Sequence, residues 1–454
     1  MVAGSHGKKS AGATPQNVTS VSTPTTRGRA TIAGSPTSPQ GGTTLRSKVQ
    51  EKIRLVAEDG AAGTGANAKQ PAQLRRALTF RDEVTDAIKS ATDEVGQFIP
   101  LTPLTLVYGV TAIWLVIRLT IYAMLITPGA LRYVYAYFFD SRIIHRVRYG
   151  PNRRNYLDIY MPPESAAAQQ RGAKKLPVVV GVMGGAWVMG HRSWNTQFGM
   201  RLLDAGVILV AVDYRNYPIG QVPEMVEDIG RALAWVRANI TTFGGDPNNT
   251  VLHAQSAGAH LSALLMLEHG LMEAQGEADP RKVCSFSGLK GCVLVSGPYD
   301  LEAMQPHLVA RGLNATMLNS LSVDGDLAAC SPQLLLDSDE WREVGEQVAA
   351  NLPPIHIFHG TSDKAVPSWS SVRFAKKLQD AGVANVTEDI RHGCTHTLPI
   401  IEGPLRGMHD MQVELVLPFL LGAEGAKERL AALPRRPRLL PEFLVRLAEY
   451  VMPY

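Results

Sequence analysis

Cysteine is scarce in this chain of 454 residues, with only Cys284, Cys292, Cys330 and Cys394. No two of them form a Cys-x-x-Cys pair. Neither a zinc ribbon nor a disulfide framework is implied, and a reducing, cytosol-facing setting fits. Charge of either sign is nearly balanced at a formal +4, so no nucleic-acid partner is implied. Acidic residues are missing altogether before Glu51, where six basic residues occur: Lys8, Lys9, Arg27, Arg29, Arg46 and Lys48. Large apolar and aromatic side chains are almost missing from the first 70 residues. Such a segment buries too little surface to offset its ordering entropy, and disorder is expected over 1–70. The same composition also describes an organelle transit peptide, which keeps a plastid location open. No apolar core follows Met1, so a cleaved secretory signal is not expected.

Long apolar runs are rare, with one exception in the segment 71–147. Leu104 to Ile126 is a run of 23 residues carrying one charge, Arg118. As a helix it would be roughly 35 Å long, enough for a bilayer core. Pro128 and Gly129 are expected to break it. Tyr133, Tyr135, Tyr137, Phe138 and Phe139 follow, a cluster of the kind found at membrane interfaces. A buried helix or an in-plane hairpin is the alternative. Basic residues are denser after the run than before it, which would leave the following domain in the cytosol. Removal of the chain through Phe139 is then expected to leave a more soluble, active catalytic body.

From 148 to 422, apolar strand-like runs alternate with helix-like runs. This predicts an α/β fold with a mostly parallel central sheet and helices on both faces. The stretch 301–351 interrupts the alternation and reads as a lid or cap insertion. The tail, 423–454, carries the basic run Pro434 to Arg438. Leu440, Phe443, Leu444, Leu447 and Val451 then share one helical face, suited to a membrane surface or to packing on the body.

The chemistry centres on Ser256. Val251 and Leu252 open a short strand, Ala254-Gln255-Ser256-Ala257-Gly258 follows, and a helix-like run begins at Ala259. This strand–turn–helix context lifts a serine hydroxyl above the sheet edge; the usual Gly-x-Ser-x-Gly has Ala254 in place of its first glycine. A nucleophilic serine needs a histidine base and an acid to orient it. Asp363 follows the apolar run Pro354 to Phe358, and His396 follows Val386 to Arg391. The order serine, acid, histidine is that of α/β-hydrolases. Upstream, Pro177 to Val182 ends in Met183-Gly184-Gly185-Ala186-Trp187. Gly184 is expected to make the turn. The N–H groups of Gly185, Ala186 and Ala257 are expected to hold an oxyanion. Gln255, beside the serine, is counted with the substrate-binding residues.

Asp300, after the run Cys292 to Ser296, is the alternative acid. His392 and His396 stand four apart, a metal-like spacing, but at a strand end beside Gly393; no metal or organic cofactor is expected. His260 and His359 read as supporting or core histidines, and Asp213 with Arg215 as a loop ion pair. Cys394 lies close enough to His396 for a thiol reagent to crowd it.

With these residues in place, the chain resembles the plant isoprenylcysteine α-carbonyl methylesterases. The resemblance is carried by YAMLITPGALRYVYAYFFD from Tyr122, GGAWVMG from Gly184, VAVDYRNYP from Val210 and FGGDPNN from Phe243. It continues in AQSAGAH from Ala254, HGTSDKAVP from His359, CTHT from Cys394 and PRRPRLLPEFL from Pro434. It implies Ser256, Asp363 and His396 as the catalytic residues. It further implies a substrate that is the methyl ester of a C-terminal prenylcysteine on prenylated proteins, and a place at endoplasmic-reticulum and Golgi membranes in contact with lipid. A general membrane-anchored carboxylesterase, or a non-catalytic receptor of the same fold, are the rival readings; retention of both Ser256 and His396 argues against the receptor.

Overall fold

The computed structural model describes residues 102–277, 279 and 285–452, with the backbone alone for 102–113, 115 and 116. The region 1–70 lies outside the described residues. The sheet has eight strands: β1 (Ile143–Arg148), β2 (Tyr156–Tyr160), β3 (Leu176–Val182), β4 (Ile208–Val212), β5 (Gly245–Gln255), β6 (Gly291–Val295), β7 (Ile355–Gly360) and β8 (Val386–Arg391). Their order is β1-β2-β4-β3-β5-β6-β7-β8. The β1–β2 and β2–β4 pairs are antiparallel; every other neighbouring pair is parallel. The long helices are α1 (Thr102–Phe139), α2 (Thr196–Asp204), α3 (Val222–Asn239), α4 (Ala257–Ala274), α5 (Leu301–Ala310), α6 (Ala315–Ser320), α7 (Asp339–Asn351), α8 (Trp369–Asp380), α9 (Met411–Ala432) and α10 (Glu442–Val451).

The central strands are apolar on both faces because helices cover both. Side chains alternate along each strand. Val178, Val180, Val182, Leu252, Leu294 and Ile357 therefore join the core beneath α3 and α4. Val179, Val251, Val293, Val295 and Phe358 join the other layer, with Leu202 of α2 and Leu417 of α9. Each such side chain, fully buried, contributes about 1.5–3 kcal/mol. The insertion between β6 and β7 holds α5, α6 and α7; Leu308, Leu318 and Val348 sit in the α3–α4 core.

Three expectations concern the flanking segments. Pro128 and Gly129 do not end the apolar helix, and α1 runs on to Phe139. The helix is closely packed at this turn: a Cβ on Gly129 would lie only 2.7 Å from both Leu405 and Leu440. Among the described residues no helix is long and apolar enough to cross a membrane, so the span expected for 104–126 is not found. The described inner side chains of α1 pack on protein. Arg118 donates from Nε to Val451 O at 2.8 Å and from Nη2 to Met452 O at 3.1 Å, capping the C-terminal end of α10, a favourable place for a cation. Tyr137 donates to Asp158 Oδ2 at 2.8 Å in the interior. Finally, the boundary expected at 422/423 lies at the kink of α9, where Gly422 (φ 73°, ψ 168°) leaves helical torsions. Within the basic tail, Arg436 is taken inward by Asp410 and Tyr133.

Candidate active site

Ser256 stands between β5 and α4 with φ 55° and ψ −124°. This left-handed conformation costs a non-glycine residue about 1–3 kcal/mol and persists only where neighbours hold it. They do so here: the Ser256 N–H donates to Val295 O at 2.8 Å, and its carbonyl accepts from His260 N at 3.1 Å. A Cβ on Gly258 would lie 2.5 Å from Val182 O, and one on Gly184 would lie 2.6 Å from Ser256 Cβ. Both positions therefore need glycine. Ala254 does not: it is fully buried in β5 between Val182 and Leu294, where a methyl group fits.

His396 and Asp363 arrive from the ends of β8 and β7. His396 Nε2 lies 3.0 Å from Ser256 Oγ, and its Nδ1 lies 2.7 Å from Asp363 Oδ2. The three side chains thus form the hydrogen-bonded series expected of them. Asp363 Oδ1 accepts the N–H groups of Ala365 and Val366, each at 2.9 Å. His359 lies behind the acid, its Nε2 3.1 Å from Asp363 Oδ2 and 2.8 Å from Val366 O. Burial pushes the Asp363 pKa upward, but the His396 charge and the hydrogen bonds from His359 and His396 outweigh it and hold the carboxyl well below its usual range. Burial alone would lower the pKa of His396; the charge and hydrogen bond of Asp363, with Glu402 behind, raise it. A carboxylate so placed fixes Nδ1 as the donor and leaves Nε2 free to accept the serine proton. Gln255 Nε2 also reaches His396 Nε2, at 3.2 Å; the glutamine touches the histidine directly.

Asp300 is not part of this series. It caps α5 through Ala303 N at 2.9 Å and accepts from Gln333 Nε2 at 3.2 Å. Among the described residues no group of three or more His, Cys, Asp or Glu side chains is placed to hold a metal ion.

The loop after β3 differs from expectation in one respect. Gly184 does not make the turn; the left-handed torsions belong to Gly185 (φ 132°), Ala186 (φ 51°) and Trp187 (φ 64°). Gly184 is needed for the close approach to Ser256. A Cβ on Gly185 would collide with Met189 O. Torsions of this kind are costly for Ala186 and Trp187 and persist only where the surroundings hold them. The loop is held from outside by the segment after β4 and by Arg154, just before β2. Tyr214 Oη donates to Met183 O at 3.0 Å, Tyr217 N donates to Trp187 O at 2.8 Å, and Arg154 Nη2 donates to Gly190 O at 2.5 Å.

Asp213 and Arg215 do not pair with each other. Asp213 accepts from Arg192 Nη1 at 3.0 Å and lies 3.3 Å from Arg154 Nη2. Arg215 binds Asp228 at 2.8 Å and Glu227 at 2.7 Å. The two residues flank Tyr214 in the loop after β4, and each finds different buried partners. His260 accepts the Trp187 indole N–H at 3.2 Å on Nδ1 and donates from Nε2 to Cys330 O at 2.6 Å. It therefore joins the loop after β3, α4 and the insertion. Cys394 is buried, and burial raises its thiol pKa, so it is a poor target for a thiol reagent.

The BD-FAE family model matches residues 157–378. A probable isoprenylcysteine α-carbonyl methylesterase of Arabidopsis thaliana is 36% identical over 351 residues, covering 76% of this chain and 79% of the relative. Another, from Oryza sativa subsp. japonica, is 35% identical over 385 residues, covering 84% and 86%. Among solved structures, a hyperthermophilic esterase from Pyrobaculum calidifontis aligns with a TM-score of 0.48 at 20% identity, over 67% of this chain and 93% of that one. The plant relatives extend across both the catalytic sheet and much of its flanks: the chain belongs to the isoprenylcysteine α-carbonyl methylesterase family and is an ester hydrolase.

Proposed function

We propose that the chain hydrolyses the methyl ester of C-terminal prenylcysteine at a membrane surface, with Ser256, His396 and Asp363 as its catalytic triad. The hydrogen-bonded series of these three residues carries the proposal. Ser256 Oγ attacks the ester carbonyl while its proton passes to His396 Nε2. The oxyanion is received by the N–H groups of Gly185, Ala186 and Ala257, each such donor being worth ~3 kcal/mol to the transition state. The C–O bond to methanol breaks as His396 returns the proton to the leaving oxygen. Water, deprotonated by His396, then cleaves the acyl-enzyme, releasing the carboxylate and restoring the serine. No step calls for a metal or organic cofactor.

The membrane enters through surface chemistry rather than through a span. On α1, Trp114, Ile117, Ile121, Met124, Leu131, Val134, Tyr135 and Phe139 are exposed, with Met124 at 69% and Tyr135 at 67%. On α10, Phe443, Leu447 and Tyr450 are exposed, Tyr450 at 84%. The two helices pack together, so their apolar faces form a stripe of the kind that lies in the interfacial plane. A prenyl chain leaves a bilayer at about 0.8 kcal/mol per CH₂ exposed, so an enzyme that acts on it gains by resting on the lipid. Endoplasmic-reticulum and Golgi membranes, with the catalytic body on the cytosolic side, are the proposed location, and the insertion 301–351 the proposed lid.

The test is methanol release from farnesylcysteine methyl ester in vesicles, set against p-nitrophenyl acetate in solution, with flotation of the full chain on the same vesicles. A preference for the prenyl ester together with flotation supports the reading. Equal specificity for unrelated lipid esters would make the chain a general esterase, and failure to float would remove the membrane from it.

A further inference from the structure

The loop bearing His396 rests on more than the sheet. After Thr397 the chain makes one turn of π-helix, Leu398–Glu402, a rare element that recurs at functional sites. Glu402, only 1% exposed, turns back beneath the histidine. Its Oε1 accepts the Thr397 hydroxyl at 2.8 Å and the Tyr122 hydroxyl at 3.0 Å. Thr397 is the residue next to His396, and Tyr122 belongs to α1. The other oxygen, Oε2, is buried with no hydrogen-bond partner among the described residues. An unpaired polar atom in the interior costs on the order of 1–3 kcal/mol. Replacing a buried polar group with a well-packed apolar one is often neutral or stabilising. A carboxyl serving only to fasten α1 would thus have no advantage over an apolar contact such as the neighbouring Ile126–Leu405–Leu440 cluster.

We propose that Glu402 is a positioning residue for His396, gripped by Tyr122 on one side and gripping Thr397 on the other. The helix that carries the exposed apolar stripe is then a working part of the histidine loop. The inference rests on the triad proposed above. It assigns to Glu402 and Tyr122 a role in ordering the base, with no contact to substrate.

The experiment uses the full chain and p-nitrophenyl acetate, a substrate small enough not to need the membrane, together with the rate at which a fluorophosphonate labels Ser256. Tyr122→Phe and Thr397→Val each remove one hydroxyl and leave the shape of the site intact. Each should lower kcat and the labelling rate by about 10- to 100-fold, the penalty of an ångström-scale misplacement, with KM unchanged. Because both act through one carboxyl, the double variant should lose little more than the worse single one. Glu402→Gln keeps an acceptor oxygen and should retain most of the rate that Glu402→Ala loses. Wild-type kcat in both hydroxyl variants, or losses that simply multiply, overturns the inference. If Glu402→Ala fails to fold, the two hydroxyl variants decide the matter alone. A wild-type chain that neither hydrolyses the ester nor takes the label overturns the triad itself, an outcome distinct from failure of the positioning role.

Discussion

Gly184→Ala is the sharpest test of how the site is built, because its consequence is set by distances. The new Cβ would sit 2.6 Å from Ser256 Cβ, 2.8 Å from Gln255 O and 3.0 Å from Gln255 Oε1. Ordinary carbon–carbon contact begins near ~3.5 Å, so the clash with the serine amounts to about 1 Å. The sheet cannot absorb it, since β3 and β5 are paired through Val182 and Ala254. Either the elbow or the oxyanion loop must shift. Overpacking of this size costs about 1–3 kcal/mol of stability, which a body with so large a core survives. A displacement of about 1 Å between nucleophile and oxyanion donors costs roughly 100-fold in rate. Kinetics on p-nitrophenyl acetate should therefore show a collapse of kcat while the protein still melts cooperatively. Gly172→Ala is the control: it has φ 80° and no neighbour within 4 Å, so it carries backbone strain of about 1–2 kcal/mol with no effect on the site. Wild-type kcat in Gly184→Ala, or equal activity losses in both variants, would refute the idea that close approach of these two loops forms the site.

Ser256→Ala should abolish both hydrolysis and fluorophosphonate labelling with little change in melting temperature. Residual labelling in that variant would place the nucleophile elsewhere. Asp363→Asn should lower kcat by up to ~10⁴-fold by favouring the wrong histidine tautomer, while Asp300→Asn should cost only a fraction of the ~1 kcal/mol carried by a helix cap; comparable rate losses in both would reassign the acid. The reaction needs neutral His396, and its pKa is raised in the folded chain by the Asp363 charge and hydrogen bond. Activity should therefore fall as pH drops through a midpoint above the ordinary histidine value of about 6.5, and that midpoint should move to lower pH in Asp363→Asn; a pH–rate profile of kcat/KM reads both. Deleting residues 1–139 should give a protein without useful esterase activity, because Glu402 and Asp158 would each lose a buried tyrosine partner. A soluble fragment with full activity on p-nitrophenyl acetate would contradict this.

Much of the site could be read from the chain because its parts lie at strand ends. β3 to β7 are dominated by apolar runs with helices on both sides, so their positions, and the loops carrying Gly185, Ser256 and Asp363, stand out. β1 and β2 do not: IIHRVR and YLDIY mix charge with apolar residues at an antiparallel edge. Asp158 there belongs to no motif, yet it is fully buried against Arg192, Tyr137 and the N–H of Arg146. Glu402 was hidden for a related reason. It belongs to no motif, and its partner Tyr122 lies 280 positions away; the one local signal is a lone carboxyl inside the apolar stretch 398–405. For 104–126, composition along the chain gives an apolar run but does not assign its faces. Arg118 and Tyr122 turn towards protein and the apolar stripe turns outward. The tail repeats the lesson: Val445 and Ala448 are buried while Phe443 and Leu447 on the same helix are exposed.

The hydrogen bonds that α1 makes to Glu402 and Asp158 have an evolutionary corollary. A membrane anchor joined by a linker can be exchanged, lengthened or lost without consequence for the catalytic body it carries. This helix cannot, because its inner face is written into the interior of the enzyme at two buried carboxyls more than 200 residues apart in sequence. Drift in its exposed outer face is free, while its inner face is constrained by these buried hydrogen bonds. Divergent members of such a lineage should therefore vary along α1 with helical periodicity, and a recombinant that splices the helix of one relative onto the body of another should lose catalysis even where it folds.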